Sequence, residues 1–378
     1  MKQRLIKVHE ADNVGIALED ISAGEIVRFE NQDIELLNRT KAKHKIALKE
    51  LLVGESIIMY GVLVGTATAP IGKGGLLTIE NVKHQSEGVQ GRTERYTWNP
   101  PDISKWKDRT FMGYHRPDGQ VGTKNVWLFF PLVFCENRNI EILKDAFEKE
   151  FGLGEISKQR LLLRRLIEGK GPKGEEDFTM GQRPFENVEV KFITHQGGCG
   201  GIRQDSEMLA KLLAGYVKNP NVAGATVLSL GCQNLQINLL KDALHGIDPN
   251  LEKPVLIYEQ QQLGTVEDML NTIILESFEG IKEANRIERK PAPLYNLKLG
   301  LECGGSDGFS GISANPALGY ASDILATVGG SPILSEFPEL CGVEQELVNR
   351  CVRDEDVERF IKLMKAYENS AERVGSRF

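Results

Sequence analysis

The chain has 378 residues, 41% hydrophobic and 26% charged, with a formal net charge of -7 at pH 7. That length supplies two domains and a substantial core. The acidic balance leaves no basic footprint for nucleic acid or an anionic membrane, and no apolar run reaches the ~20 residues that span a bilayer.

The opening MKQRLIKVHEADNVG lacks the apolar core of a signal peptide. Residues 1–85 then alternate short strand-like pieces with Gly turns (RLIKVHE, NVGIALED, EIVRFE, ESIIMYGVLVGTATAP, GLLTIENV), which predicts a small β-rich module without a visible tandem repeat. Residues 86–109 carry few apolar runs and the Pro100-Pro101 pair, which predicts an exposed linker. From Thr110 to the end the pattern becomes alternating strand and helix, an α/β region with a mostly parallel sheet. Its helices are expected over Ile140–Phe151, Lys158–Glu168, Ser206–Val217, Leu235–Ala243, Thr265–Glu288, Ala314–Val328, Val343–Cys351 and Asp354–Ser370. Further strands are expected over Pro254–Gln260 and Pro332–Phe337, and a polar loop over Gly169–Phe185. Four apolar segments, Asn125–Asn137, Val188–Gly201, Gly224–Asn234 and Leu297–Gly311, run as buried strands into tight turns bearing Cys135, Cys199, Cys232 and Cys303. In an open parallel sheet these cysteines gather at the carboxyl edge, where ligands bind. Six cysteines without a CxxC spacing do not form a secreted disulfide framework, and a reducing cytoplasm fits them best.

Several motifs carry chemistry. KAKHKIALKE sets His44 beside Lys45, a base and a cation suited to proton abstraction next to a carboxylate; a solvated Lys-rich turn explains the same residues. Asp12-Asn13 reads as a turn or a ligand pair. Glu80 and His84 offer hard-ion ligands or plain surface groups. His195, four residues before Cys199, is a metal ligand, a general acid/base or a hydrogen-bonded structural residue. The four cysteines are soft ligands for iron or an iron–sulfur cluster, or buried thiols. In ECGGSDGFSGISANPALGYASD, a strand ends in a Gly-rich turn and a helix begins at Asn315-Pro316. Backbone N–H groups there suit a carboxylate, and without GxGxxG no nucleotide is implied.

ADNVGIAL, KHKIALKELLVGE, MYGVLVGTA, FMGYHRPDGQVGTKN, GGCGG, LSLGCQNLQ and ECGGSDGFSGISANPALGYASD together resemble the altronate dehydratase and galactarate dehydratase family, in collinear order over nearly the whole chain. The resemblance implies an N-terminal SAF-type β-clip domain over 1–85 and a Rossmann-like α/β dehydratase domain over 110–378, C-terminally incomplete relative to the family. It implies a cytoplasmic hydro-lyase that removes water from a sugar acid, altronate giving 2-keto-3-deoxygluconate, with Fe²⁺ or Mn²⁺; an iron–sulfur cluster is the alternative. Galactarate, another hydroxy-acid lyase reaction, or a non-catalytic sugar-acid-binding role stay open, as does self-association. On this reading His44, Lys45 and His195 are catalytic. Asp12, Asn13, Lys124, Asn125, Gly304, Gly305, Ser306, Asp307 and Asn315 bind substrate. Cys135, Cys199, Cys232, Cys303 and Glu80 are candidate metal ligands. Motif positions also carried over are Tyr60, Gly61, Asp118 and Gln236. The chain departs from the family at LLTIEN (Leu76–Asn81), where a His-rich HVHxHN run is common, at Met59 in place of Lys, and at Gln233 in place of Glu.

Overall fold

The computed structural model describes residues 3–85, 88–151, 163, 166–169, 184–302, 304, 308–340 and 342–376. The chain divides into two compact units, one of residues 1–107 and 297–378, the other of residues 108–296.

The amino-terminal part of the first unit holds eight short strands: β1 (Leu5–Ile6), β2 (Val14–Ala17), β3 (Ile26–Phe29), β4 (Gln32–Glu35), β5 (Lys45–Ala47), β6 (Ser56–Met59), β7 (Val62–Ala67) and β8 (Val82–His84). They pair antiparallel as β1-β2-β5, β3-β4 and β6-β7-β8. Residues 21–40 and 51–71 repeat each other's backbone. A bridge closes each segment, Ile21 to Thr40 and Leu51 to Ile71. Gly24 and Gly54 turn at φ 77° and 85°, and their N–H groups reach the returning strand at Leu36 O and Ala67 O. Glu25 and Glu55 each accept the N–H three residues back, from Ser22 and Leu52. Only the Gly-Glu pair and a buried apolar residue two positions after the Glu (Val27, Ile57) are shared by SAGEIV and LVGESI, so the repeat lies in hydrogen bonding more than in side chains.

The second unit begins with β9 (Thr110–His115) and β10 (Val121–Gly122), continues through β11 (Val126–Pro131), α1 (Asn137–Glu150), β12 (Glu189–Phe192), α2 (Arg203–Lys218), β13 (Val222–Ser229), α3 (Ile237–Ile247), β14 (Val255–Glu259) and α4 (Val266–Asn285), and ends with β15 (Lys290–Pro293). Strands β12-β11-β13-β14 form one parallel sheet. Alternate residues of β11 feed two cores. Trp127 and Phe129 pack with Ile140 and Leu143 of α1 and Met269 and Ile273 of α4. Leu128 and Phe130 pack with Leu213 of α2 and Leu240 of α3. This is period-two patterning with both faces covered. Helix α4 starts on a capping box: Thr265 Oγ1 accepts Asp268 N–H, and Asp268 accepts Thr265 N–H, each at 3.2 Å. Entry and exit of the unit are tied, because β15 pairs antiparallel with β9. The two prolines of KPAP fit an edge strand.

Residues 297–378 contribute β16 (Lys298–Leu301), α5 (Ala314–Thr327), β17 (Ser331–Leu334), α6 (Glu344–Arg350) and α7 (Asp354–Arg373).

Three expectations are revised. The strand leading into Cys303 is not the fourth member of the large sheet; β16 pairs with β17 in a separate parallel pair, and β14 takes the fourth place. Residues 110–378 are not one unit, because the stretch from 297 belongs with the amino-terminal module, where Ile312 packs against the Val14, Ile57 and Met59 cluster. Residues 88–107 are no free linker. Arg92 bonds Cys351 O and pairs with Asp354, both at 2.7 Å, and the buried Asn349 accepts Thr93 N–H at 3.1 Å. The expected helix over 158–168 falls largely outside the described residues. Among the described residues no helix is long and apolar enough to cross a membrane.

Candidate functional site

A cleft of about 730 Å³ in the first unit is lined by Lys43, His44 and Lys45 together with Thr78, His84 and Gly308. Lys43 turns at φ 76°, which directs the chain into β5. His44 is exposed and Lys45, the first residue of β5, is half-buried. His44 Nδ1 lies 3.3 Å from Ala42 O. Donation there leaves Nε2 with the lone pair, the state a base requires. His84 Nδ1 lies 3.1 Å from Val64 O in the same way. The sequence-expected pair His44 and Lys45 therefore shares a cavity of small-molecule size with several basic side chains.

Part of the Gly-rich stretch lies at this cleft. A Cβ on Gly308 would stand 2.8 Å from Lys43 Cβ, and one on Gly311 only 2.4 Å from Tyr60 Oη. Lys43 Nζ lies 5.1 Å from the Phe309 ring centroid. Tyr60 itself, at φ 58° beside Gly61 at φ 79°, forms a hairpin tip in which both central residues are left-handed. Burial, then the Asp12 charge, pushes the Tyr60 phenol up. Gly304 is exposed and Asn315 lies in the first turn of α5, also exposed. Gly305, Ser306, Asp307 and Cys303 lie outside the described residues.

Asp12 and Asn13 bond backbone on both sides. Asp12 accepts N–H groups from His9 and Gly61, both at 2.9 Å, and Asn13 exchanges hydrogen bonds with Ser56 O and Ile58 N. They fasten β2 to the β6–β7 hairpin. Glu80 is exposed in a turn fixed by Asn81, which accepts Thr78 N–H and donates to Leu76 O.

In the second unit Cys135, Cys199 and Cys232 follow β11, β12 and β13 at the carboxyl edge of the sheet, and all three are exposed. Their loops are stitched together: Phe134 N–H reaches Gly197 O at 3.0 Å and Leu235 N–H reaches Gly198 O at 3.1 Å. Gly198, at φ 91°, admits no side chain, since a Cβ would stand 1.9 Å from Leu132 O. His195 is the pin. Its Nε2 donates to Pro131 O at 2.8 Å, and Nδ1 accepts Gly197 N–H at 3.1 Å. Both nitrogens bond backbone, which is the hydrogen-bonded structural role among the three the sequence allows. Glu136 is fully buried beside Cys135, with Oε2 accepting from Asn139 at 2.7 Å and Oε1 without a partner. Burial pushes this carboxyl up. Only its place next to the strand-end cysteine marked it in the sequence.

Lys124 and Asn125 stand at the opposite, amino edge, about 20 Å away along a six-residue strand. Lys124 pairs with Glu189, while the buried Asn125 donates to Asn187 O and Ala284 O and accepts from Arg116. Asp118 is also structural: burial would raise it, but hydrogen bonds from Lys218 and Gln120 outweigh that and hold it at about 2. Asn125 thus satisfies buried backbone, while Lys124 is held in an ion pair. Gln236 donates to Gly231 O and Gln233 O.

A divalent ion or cluster needs converging donors. Among the described residues no three His, Cys, Asp or Glu side chains come together to hold one, the three exposed thiols and Glu80 included.

Comparison with known proteins assigns all three regions consistently. Residues 3–85 match the altronate/galactarate dehydratase SAF domain, residues 113–285 the second domain of D-galactarate dehydratase/altronate hydrolase, and residues 294–378 the C-terminal D-galactarate/altronate dehydratase domain. The chain is 33% identical to altronate dehydratase of Bacillus subtilis (strain 168) and 30% identical to that of Escherichia coli (strain K12), in each case over 96% of this chain and 66% of the relative. It is 29% identical to galactarate dehydratase (L-threo-forming) of Escherichia coli (strain K12), over 96% of this chain and 65% of that protein. The chain thus spans just under two thirds of the length of these relatives. Three domains matched in one order place the chain in the altronate/galactarate dehydratase family.

Proposed function

We propose that the protein is a hydro-lyase that removes water from a sugar acid, with altronate as the first substrate to offer and galactarate as the second. The observation that carries this reading is the placing of His44 and Lys45 together in one acid-sized cleft of a chain belonging to this family. In the reaction, His44 Nε2 takes the proton next to the carboxylate. The Lys45 ammonium lies against the negative charge that develops on the carboxylate oxygens. In its protonated form His84 keeps Nδ1–H on Val64 O and gives the Nε2 proton to the departing β-hydroxyl. Water leaves and the enol tautomerises to the 2-keto acid. The backbone N–H of Gly308, on the cleft lining, suits an oxygen atom of the substrate.

Fe²⁺ or Mn²⁺ is the metal the family resemblance implies. We read the second unit, with helices on both faces of its parallel sheet, as Rossmann-like. We place the protein in the cytoplasm, where three exposed thiols stay reduced.

The test is an anaerobic assay of the purified chain with altronate and galactarate in turn, reading 2-keto acid, with and without added Fe²⁺ and a chelator. His44→Ala and Lys45→Ala should each cut turnover at least about a hundredfold at unchanged thermal stability. Full activity in His44→Ala removes His44 from the chemistry. Binding of either acid without turnover favours a non-catalytic sugar-acid-binding protein.

A further inference from the structure

The cleft around His44 and Lys45 is chemically lopsided. One wall is the face of the β6-β7-β8 sheet that carries Ile57, Met59, Val64 and Val82, with His84 its only polar side chain. Ile57 and Met59 lie two residues apart on β6, as Val82 and His84 do on β8, so each pair shares a face. Leu77 and Ile79 extend the aliphatic lining from the neighbouring turn. The charged groups come from Lys43, His44 and Lys45, consecutive in the chain. A ligand with hydroxyls along its whole length would set some of them against aliphatic carbon, where they lose water and gain no partner. A ligand with a carboxylate and hydroxyls at one end and bare carbon at the other satisfies both walls.

We infer that the cleft takes a deoxy sugar acid, carboxylate and adjacent hydroxyls at His44 and Lys45, methyl-ended distal carbons against Ile57, Met59, Val64 and Val82. The inference rests on this cleft being the site of the proposed reaction. Met59 and Val64 are then specificity determinants.

Calorimetric titration of the full chain with altronate and with 6-deoxyaltronate tests it. The deoxy acid should bind at least about tenfold more tightly, the scale on which a site rejects a misplaced hydroxyl or methylene. Its heat-capacity change should be the more negative. Val64→Thr keeps the side-chain shape and the strand while adding a hydroxyl, and should narrow the ratio at least threefold. Met59→Gln should narrow it further, and thermal unfolding reports whether that variant folds. Altronate binding as tightly as the deoxy acid, no binding of either acid, or a ratio untouched by Val64→Thr overturns the inference. Turnover measured alongside separates the two readings. Equal affinities with turnover defeat the deoxy preference alone. A clear preference without turnover defeats the dehydratase reading alone.

Discussion

Sequence alone gives His44 and His195 the same chemistry, an imidazole beside a turn. What separates them is what their nitrogens touch. His195 spends both on backbone, at Pro131 O and Gly197 N, and so joins the end of β11 to the loop after β12. His44 spends one and keeps the other in the cleft. His195→Ala strands a carbonyl and an N–H among half-buried atoms, at about 1 kcal/mol each. Its expected result is about 2 kcal/mol lower stability in urea. Unchanged stability, with turnover lost, would return His195 to the chemistry. The same distinction explains why Asp12, Asn13 and Asn125 read as ligands from sequence. A short polar side chain that satisfies buried backbone looks no different, in one dimension, from one that binds substrate. Asn125, with three hydrogen bonds to Asn187, Ala284 and Arg116, shows how completely such a residue is consumed.

At the scale of elements, two helical glycines make opposite demands. Gly280 on α4 and Gly224 on β13 make room for Trp127: a Cβ on either would stand 2.2 or 2.5 Å from the indole. The indole is fully buried, and its Nε1 donates to Thr226 Oγ1 at 2.9 Å. Gly215 on α2 is exposed and faces open space. Gly280→Ala should cost about 2 kcal/mol through overpacking, and Gly215→Ala should gain up to about 1 kcal/mol through helix propensity. Equal effects in thermal melts would mean that Trp127 is not held where the packing puts it. Most of α1 to α7 and the parallel strands were legible, because apolar residues recur at helical or strand spacing over whole elements. Strands β9 and β15 were not, since KPAP reads as a turn and its pairing with residues 110–113 is long-range. The repeat of residues 21–40 in 51–71 was hidden as well. It resides in backbone bonds that several side-chain sets satisfy. Of the site, the adjacent base and cation at 44–45 were legible, whereas His84 and the aliphatic wall become neighbours of that pair only through the pairing of β6, β7 and β8.

For the whole molecule, the boundary the composition suggests near residue 85 is not where packing divides the chain. Residues 88–107 look like a linker because they are polar and rich in proline, yet polar residues are what a strap needs to bond helix ends. Gly91 O accepts Gln345 Nε2 at 2.8 Å, Tyr96 N–H reaches Asn349 O at 3.2 Å, and the Arg350 guanidinium stacks 4.7 Å from the Tyr96 centroid. Asn349 is the hub, 6% exposed, with its Oδ1 accepting from Thr93 N, Thr93 Oγ1 and Gln345 Nε2. Residues near 90 and near 350 thus belong to one folded unit, with the intervening 108–296 as a separate one. Asn349→Ala removes the acceptor shared by Thr93 N–H, Thr93 Oγ1 and Gln345 Nε2, three bonds together worth about 2 kcal/mol, or roughly a thirtyfold rise in local opening. Brief trypsin treatment should then cut at Arg92 and Arg95 about that much faster than in the wild type, while cleavage within 203–286 keeps its wild-type rate. Equal cutting of both proteins at Arg92 and Arg95 would show that the strap is secured elsewhere, and acceleration in both units would show that Asn349 supports the fold as a whole.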